Sequence, residues 1–430
     1  MSHEISLSRR LVIIFSIVFA GEIIFSLPFH VARFFRPTLL DVFSLTNTQL
    51  GDIFGLYGIM AMLAYFPGGA IADRFSGRRL MSFSLLTTAL GGIYFVQIPS
   101  PTGLALLFAY WGVTTILLFW ASMIKVTRQW GGKATQGKAF GILDGGRGLV
   151  AAGVASIAVL MITMAFPTSS VVMNINEQTS AIKTVISFYS LLTVLAAVLI
   201  WFTIPKVKTE NLAINTNSIT AHKQRNAIAG IIEVLKQPKV WLQAFIVLAA
   251  YCAYKSLDYF GLYATTVLGI NELDSARMVS NASYLRPIAA ITAGIIADKL
   301  RVGRVISWFF VLLSVSYLLF SLLLPNTASS NLIIEANFLL TFLLVFAIRG
   351  IYFALLEETK LSGQLTGTAV GIISVVGFTP DIFFAPIAGR IIDSAPGIDG
   401  FNQLFMLLFG ISASGFTAAY LLAKRVKEQV

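Results

Sequence analysis

Apolar residues come in long runs along the chain, separated by short polar segments. Runs able to cross a hydrocarbon core need about 20 residues as helix. They predict twelve helices, at 10–32, 48–72, 79–98, 103–125, 138–165, 181–204, 240–267, 277–298, 303–324, 332–357, 366–392 and 400–423. The runs are long and unbroken, not ten-residue alternations of polar and apolar positions, so barrel strands do not fit them. One stretch differs. Residues 205–239 are polar and basic, and they divide the chain into an N-terminal half, 1–204, and a C-terminal half, 240–430, each with six predicted spans. The end of this linker, around Ile228 to Leu235, has the character of an amphipathic helix lying on a membrane surface.

The loop charges give a topology. Even-numbered loops hold Arg74, Arg78, Arg79, Arg128, Lys133, the linker cluster (Lys206, Lys208, Lys223, Arg225, Lys236, Lys239), Lys299, Arg301, Arg304 and Lys360. Odd-numbered loops hold few: Arg33 and Arg36 near the first, then Lys183 and Arg277. Arg9 and Arg10 precede the first run, and Lys424, Arg425 and Lys427 follow the last. The positive-inside rule then places both termini and the linker in the cytoplasm. The first run is too long for a signal-peptide core and is read as a span.

Composition supports the membrane reading. Of 430 residues, 57% are hydrophobic and 12% charged, against about 25% charged in soluble domains. Mean hydropathy is +0.81. The net charge of +11 would suggest nucleic acid in a soluble protein. Here the charges lie in loops and serve topology. Cys252 is the sole cysteine, and His3, His30 and His222 are scattered, so no metal-ligand spacing appears and no cofactor is expected.

The halves repeat a motif. After the second run the chain reads Gly69-Ala-Ile-Ala-Asp73-Arg74-Phe-Ser-Gly77-Arg78-Arg79. After the eighth it reads Gly294-Ile-Ile-Ala-Asp298-Lys299-Leu-Arg-Val-Gly303-Arg304. The glycines are expected to let helices approach closely, and the basic residues to make a tight loop on the positive side. The pattern resembles the signature loop of the major facilitator superfamily, G-x-x-x-D-R-x-G-R-R. The first copy has one extra residue before Gly77, and the second has Lys299 for Arg and a longer gap. The resemblance extends over the whole chain. It implies an all-α membrane protein of twelve transmembrane helices in two pseudo-symmetric six-helix halves. It also implies a conformational latch in which Asp73, Arg74 and Arg78 take part, with Arg128 a candidate partner and Gly69, Gly294, Asp298 and Arg304 in the corresponding places.

Ionisable residues within apolar runs are costly unless they face a cavity or a partner. They are Glu22, Asp144, Arg147, Lys255, Asp258, Arg286, Arg349 and Asp381, and spans 3, 6, 9 and 12 have none in their interiors. In the major facilitator fold those four spans pack outside the central cavity. At about 1.5 Å per residue, Glu22 and Arg286 lie roughly 18 Å from the cytoplasmic ends, Lys255 and Asp381 roughly 21 Å, and Arg349 about 13 Å. Asp144 and Arg147, at i, i+3, are read as an intramembrane pair, and Lys255 and Asp258 have the same spacing.

Lys255, Arg286 and Arg349 form a cationic set complementary to an organic anion, with Tyr284 and Tyr352 among the aromatics that would wall its organic part. Arg286 and Arg349 have an alternative, pairing across helices with Glu22 or Asp381. These two carboxylates are the candidates for carrying a proton. The expected function is secondary transport of a small organic solute by alternating access. The alternatives are proton-driven efflux of amphiphilic or cationic compounds, and a sensor on the same fold. An enzyme would need a metal cluster or nucleophile–base pair that the sequence does not offer, and a channel would need rings of one charge. The expected partners are substrate, lipid and protons, with no nucleic acid. The chain is read as a monomer in a bacterial inner membrane.

Overall fold

The computed structural model describes residues 6–131, 136–166, 173–205, 232–323, 328–358 and 366–427. Most of the linker, Lys133, Lys360, His3 and His222 lie outside the described residues. The described chain is helical, with no strand among its residues. Among the described residues, nine helices are long and apolar enough to cross a membrane. Leu7–Ile23 with Ser26–Phe34 makes a tenth, bent by 44°. These ten fall on ten of the twelve expected runs. The remaining two runs are helical but fail that measure. Gly77–Phe95 opens on Arg78 and Arg79, which lower its apolar average. The run expected at 277–298 is split into Glu272–Ser283 and Leu285–Leu300.

Local chemistry sets where the helices start. Thr46 and Gln49 form a capping box at the head of Asn47–Arg74, and Asn174 and Glu177 form another before Ile175–Thr203. Ser100 caps Pro101–Ile116, with Pro101 in the first turn, where its missing N–H costs nothing.

Five spans with interior charges are interrupted next to those charges. The first breaks after Glu22 into a wide π-turn, Ser26–His30, around Pro28. A 3₁₀ turn, Leu257–Tyr259, follows Lys255 and contains Asp258. The next span breaks at Tyr284, before Arg286 and Pro287. Another 3₁₀ turn, Tyr352–Ala354, follows Arg349. Thr366–Gly377 and Pro380–Ser394 part just before Asp381. Proline explains three of these breaks, because Pro28, Pro287 and Pro380 remove a backbone donor and disfavour helix in the preceding residue. Irregular backbone at membrane depth is tolerated only inside protein or along a cavity. The span with Asp144 and Arg147, Gln136–Ala165, is continuous.

The chain forms two compact units. The first contains residues 1–208 with 257–287 and 381–400; the second contains 209–256, 288–380 and 401–430. This grouping cuts across the six-plus-six division, because short pieces of the second half pack on the first. In the first unit Asn47–Arg74 lies along Pro101–Ile116, Gly77–Phe95 along Ile175–Thr203, and Leu7–Ile23 along Gln136–Ala165. Phe29, Phe54, Phe95, Phe108 and Trp111 form a continuous aromatic core there. In the second unit Pro238–Ser256 packs on Thr366–Gly377 and Ala328–Ile351, which also packs on Val302–Leu322. Tyr317 and Phe320 stack on Phe405.

Candidate functional site

The first unit buries a charged cluster around Glu22. Arg147 Nε donates to Glu22 Oε2 at 2.8 Å. His30 Nε2 lies 3.2 Å from Oε1, and Arg286 Nη1 lies 3.7 Å from the same oxygen. Arg286 Nη2 donates to Asp144 Oδ1 at 2.7 Å. Glu22, His30, Arg147 and Arg286 are all buried, while the Asp144 side chain is 39% exposed. Breaking such a cluster by removing one member is expensive, because the remaining charge has no water to turn to.

The backbone makes room for these groups. The bend and π-turn swing His30 toward Glu22, and helical side chains lean toward the N-terminus, which closes the remaining gap. Glycines in Gln136–Ala165 do the rest. A Cβ at Gly146 would stand 2.7 Å from Val18, and one at Gly148 would stand 2.7 Å from Arg286 Cδ. Gly148 is thus the gap through which Arg286 reaches the cluster. Phe25 and Trp120 flank the Arg147 guanidinium, with ring centroids at 5.6 and 5.8 Å.

Asp144 and Arg147, read above from their i, i+3 spacing, are each engaged across helices, with Arg286 and Glu22 respectively. Glu22, read above as a candidate proton carrier, is the shared anion of two guanidinium groups. For Arg286, the cross-helix alternative is the observed arrangement. Sequence reasoning passed over His30, although Pro28 two positions earlier signals the distortion that brings it in.

A second set of polar contacts lies at the end of the helices away from the Gly77 loop. Arg33 Nε donates to Asp258. Arg36 is fully buried, its guanidinium 4.1 Å from the Tyr259 ring centroid and bonded to Asn47 Oδ1. Asp393 accepts the backbone N–H groups of Asn47 and Thr48, at 3.2 and 2.7 Å, and the Asn47 amide at 3.1 Å. It therefore caps a helix on which it does not lie, where the helix dipole favours an anion. Arg390 holds Asp52 with two bonds of 2.7 and 3.1 Å. Beneath these contacts Pro380–Ser394 lies against Gly51, Gly55 and Gly58, where any Cβ would collide with the Ala385, Ile382 or Asp381 carbonyl. Asp381 sits at the head of this helix, half-buried. Arg33 and Arg36, read above as loop charges, are core residues.

The other candidate substrate contacts divide between the units. Tyr284, in the first, is exposed and its hydroxyl donates to Ser156 Oγ at 3.2 Å. In the second unit, Arg349 lies over the Tyr254 ring at 3.8 Å. Both are half-exposed, whereas Lys255 and Tyr352 are buried. Gln243 donates to the Tyr352 carbonyl at 3.4 Å, which fixes the 3₁₀ turn after Arg349.

At the signature loop, Lys125 Nζ donates to the Ala72 carbonyl at 2.6 Å and approaches that of Asp73 at 3.4 Å. Arg128, the partner expected from the resemblance, is exposed on the last turn of its helix. Arg78 lies over the Trp201 ring at 4.6 Å. Asp73, Arg74, Asp298 and Arg304 are exposed. Among the described residues, a Cβ at Gly69 or Gly294 would meet nothing within 4 Å, so the close approach expected there is not made by them. The adjacent Gly68 makes it instead, with a Cβ position 2.8 Å from the Leu117 carbonyl oxygen.

Long apolar helices, broken beside buried charges and repeated in two halves, define a polytopic membrane protein with a transporter architecture. A family model for the Major Facilitator Superfamily matches residues 11–378, and the chain belongs to that superfamily. It is 28% identical over 418 residues to the inner membrane protein YqcE of Escherichia coli, covering 96% of this chain and 94% of that one. It is 27% identical over 420 residues to the inner membrane protein YihN of the same organism, covering 95% and 94%. Among solved structures, the nucleoside transporter NupG superposes with a TM-score of 0.70 at 13% identity, covering 97% of this chain and 98% of that one. A bacterial homologue of the human lysosomal transporter Spinster, solved inward-facing and unoccupied, has a TM-score of 0.72 at 12% identity, covering 99% of both chains.

Proposed function

We propose that this protein is a secondary transporter carrying a small organic anion across the bacterial inner membrane. It works by alternating access of the halves 1–204 and 240–430, with a proton as coupling ion and the linker and both termini in the cytoplasm. The observation that carries the substrate class is Arg349. Its guanidinium is half-exposed, lies inside an apolar span beside a helix break, and is stacked on Tyr254 at 3.8 Å. A guanidinium suits the planar oxygens of a carboxylate or phosphate, and the tyrosine beside it suits the organic portion. Arg286, engaged by Glu22 and Asp144, serves the cluster and not the substrate in this conformation. Lys255 and Tyr352 belong to the wall around Arg349.

The test is a thermal-shift screen of purified protein against carboxylates, phosphate monoesters, amino acids, nucleosides and cationic amphiphiles, followed by uptake of the hits into proteoliposomes. An anionic hit is expected. Arg349→Ala should weaken its binding by about 10- to 100-fold, the worth of a hydrogen bond to a charged group, with the melting temperature of the free protein little changed. Arg349→Lys should restore part of the binding, because an ammonium lacks the planar fork. Hits confined to cationic amphiphiles, or anion binding unchanged in Arg349→Ala, would overturn the substrate assignment. Binding without flux would indicate a sensor.

A further inference from the structure

The Glu22 cluster contains a competition for a single oxygen. Arg147 takes Oε2, while His30 Nε2 and Arg286 Nη1 both face Oε1, at 3.2 and 3.7 Å. His30 Nδ1 is buried and has no hydrogen-bond partner among the described residues; the same holds for Arg286 Nε and the Tyr189 hydroxyl. The imidazole lies edge-on to Phe34 and Tyr189, with ring centroids at 5.7 and 6.1 Å. The titratable and charged groups around it are therefore Glu22 from its own broken span, Asp144 and Arg147 from Gln136–Ala165, Tyr189 from Ile175–Thr203, and Arg286 from Leu285–Leu300.

We infer that His30 is the group that takes up the coupling proton, and that its protonation transfers Glu22 Oε1 from Arg286 to the imidazolium. This rests on the proton-coupled transport proposed above. A proton entering from one side of the membrane binds the free imidazole nitrogen and leaves to the other side; no other bond is made or broken. Neutral His30 offers Oε1 an ordinary hydrogen bond. Imidazolium offers a shorter, charge-assisted one and places a cation beside Arg286. Arg286 then keeps Asp144, which is partly exposed, and loses its hold on Glu22. The consequence is mechanical because of where Arg286 comes from. Glu22, His30, Arg147 and Asp144 belong to the first half of the chain, and Arg286 to the second. Protonation of His30 therefore removes one of the two ties that Arg286 makes to the first half, leaving the one to Asp144, and deprotonation restores it.

The test is a spin-label distance measurement on full-length protein in nanodiscs. Labels are placed at Thr102→Cys and Thr266→Cys in a Cys252→Ser background, both at exposed positions of the first unit. Between pH 8 and pH 5.5 the population with the longer distance should rise at least fivefold. His30→Gln, a neutral stand-in, should hold the short-distance population at both pH values. Should that variant fail to fold, ¹⁵N NMR of wild-type His30 in a His3→Gln, His222→Gln background must show ring protonation over the same pH interval as the distance change. A pH response that survives His30→Gln and disappears in Asp381→Asn would remove His30 while sparing proton coupling. A wild-type protein with no pH response would sink both.

Discussion

Both units tie helices with hydroxyls, as Tyr57 does with Thr115 at 2.7 Å in the first, but the buried ion pairs described above lie in the first. Around Glu22 and at the helix ends near Asp52 and Asp393, the first unit ties segments with ions: Arg147 and Arg286 on Glu22, Arg286 on Asp144, Arg33 on Asp258, Arg390 on Asp52. The described interior of the second unit ties helices with hydroxyls and amides. Ser316 pairs with Thr341, Asn337 donates to the Ser316 carbonyl at 2.9 Å, and Ser256 meets Tyr317 at 3.0 Å. Its guanidinium at Arg349 lies on an aromatic ring. Neutral bonds keep their strength whatever the pH. Ion pairs can be re-partnered by a proton or a charged ligand. Four of the five ion pairs named in the first unit join a residue of the first half to one of the second: Arg286 to Glu22 and to Asp144, Arg33 to Asp258, and Arg390 to Asp52. The switchable contacts thus join the two predicted halves, where the alternating access proposed above would need them to break.

The contrast breaks most sharply at Arg147. Arg147→Met strands Glu22 with the more distant Arg286 and an imidazole, and should destabilise the protein by about 3–5 kcal/mol, as removal of one partner of a buried pair does. The double variant Glu22→Gln/Arg147→Met should recover most of that loss. Thermal melts in detergent read both. A single variant within about 0.5 kcal/mol of wild type, the range of changes away from such features, would show that the cluster is not a structural ion network.

At the helix ends the expected effect is smaller. Asp393→Ala removes three hydrogen bonds from the start of Asn47–Arg74, and losing a helix cap costs about 1–2 kcal/mol. Asp393 comes from the second half and caps a helix of the first, so the loss should appear as a shift toward the longer Thr102–Thr266 distance at pH 8. Lowered melting with no shift in that distance would make Asp393 a purely structural cap.

Much of this was legible in the sequence, and the reasons are physical. Span length and apolarity are local properties, so the helical membrane fold could be read from runs alone. A motif repeated after equivalent spans identified the superfamily. The interior charges could be counted because water-soluble residues are rare in such runs. Their partners could not be named, since pairing depends on how helices pack. Spacing suggested Asp144 with Arg147, whereas the Gly146–Gly148 stretch brings in Val18 and Arg286 from other helices. Arg33 and Arg36 looked like loop residues because hydropathy does not reveal that a chain turns back into the core after Phe34. Lys125 was missed because its role, gripping the Ala72 carbonyl, is a backbone contact without a sequence signature.

The smallest effect concerns the two copies of the repeated loop. In the first, Phe75 and Ser76 turn with ordinary backbone, φ −113° and −67°, and Lys125 secures the carbonyls before the turn. In the second, Arg301 caps Val302–Leu322 with φ 71° and ψ 131°, a region nearly reserved for glycine that costs a side-chain-bearing residue about 1–3 kcal/mol. Arg301→Gly relieves this strain but adds about 0.5–1 kcal/mol of unfolded-chain entropy. The net gain should therefore be about 1 kcal/mol, within a span of roughly 0–2.5 kcal/mol, a rise of a few degrees or less in melting temperature. Arg301→Ala keeps the strain and removes the charge, so it should gain nothing. If alanine stabilises as much as glycine, charge repulsion with Lys299 and Arg304 is the cause, and the two loops differ in charge rather than in backbone strain. If glycine stabilises while slowing uptake of the anionic hit, the strain in this loop belongs to the transport cycle of the second unit.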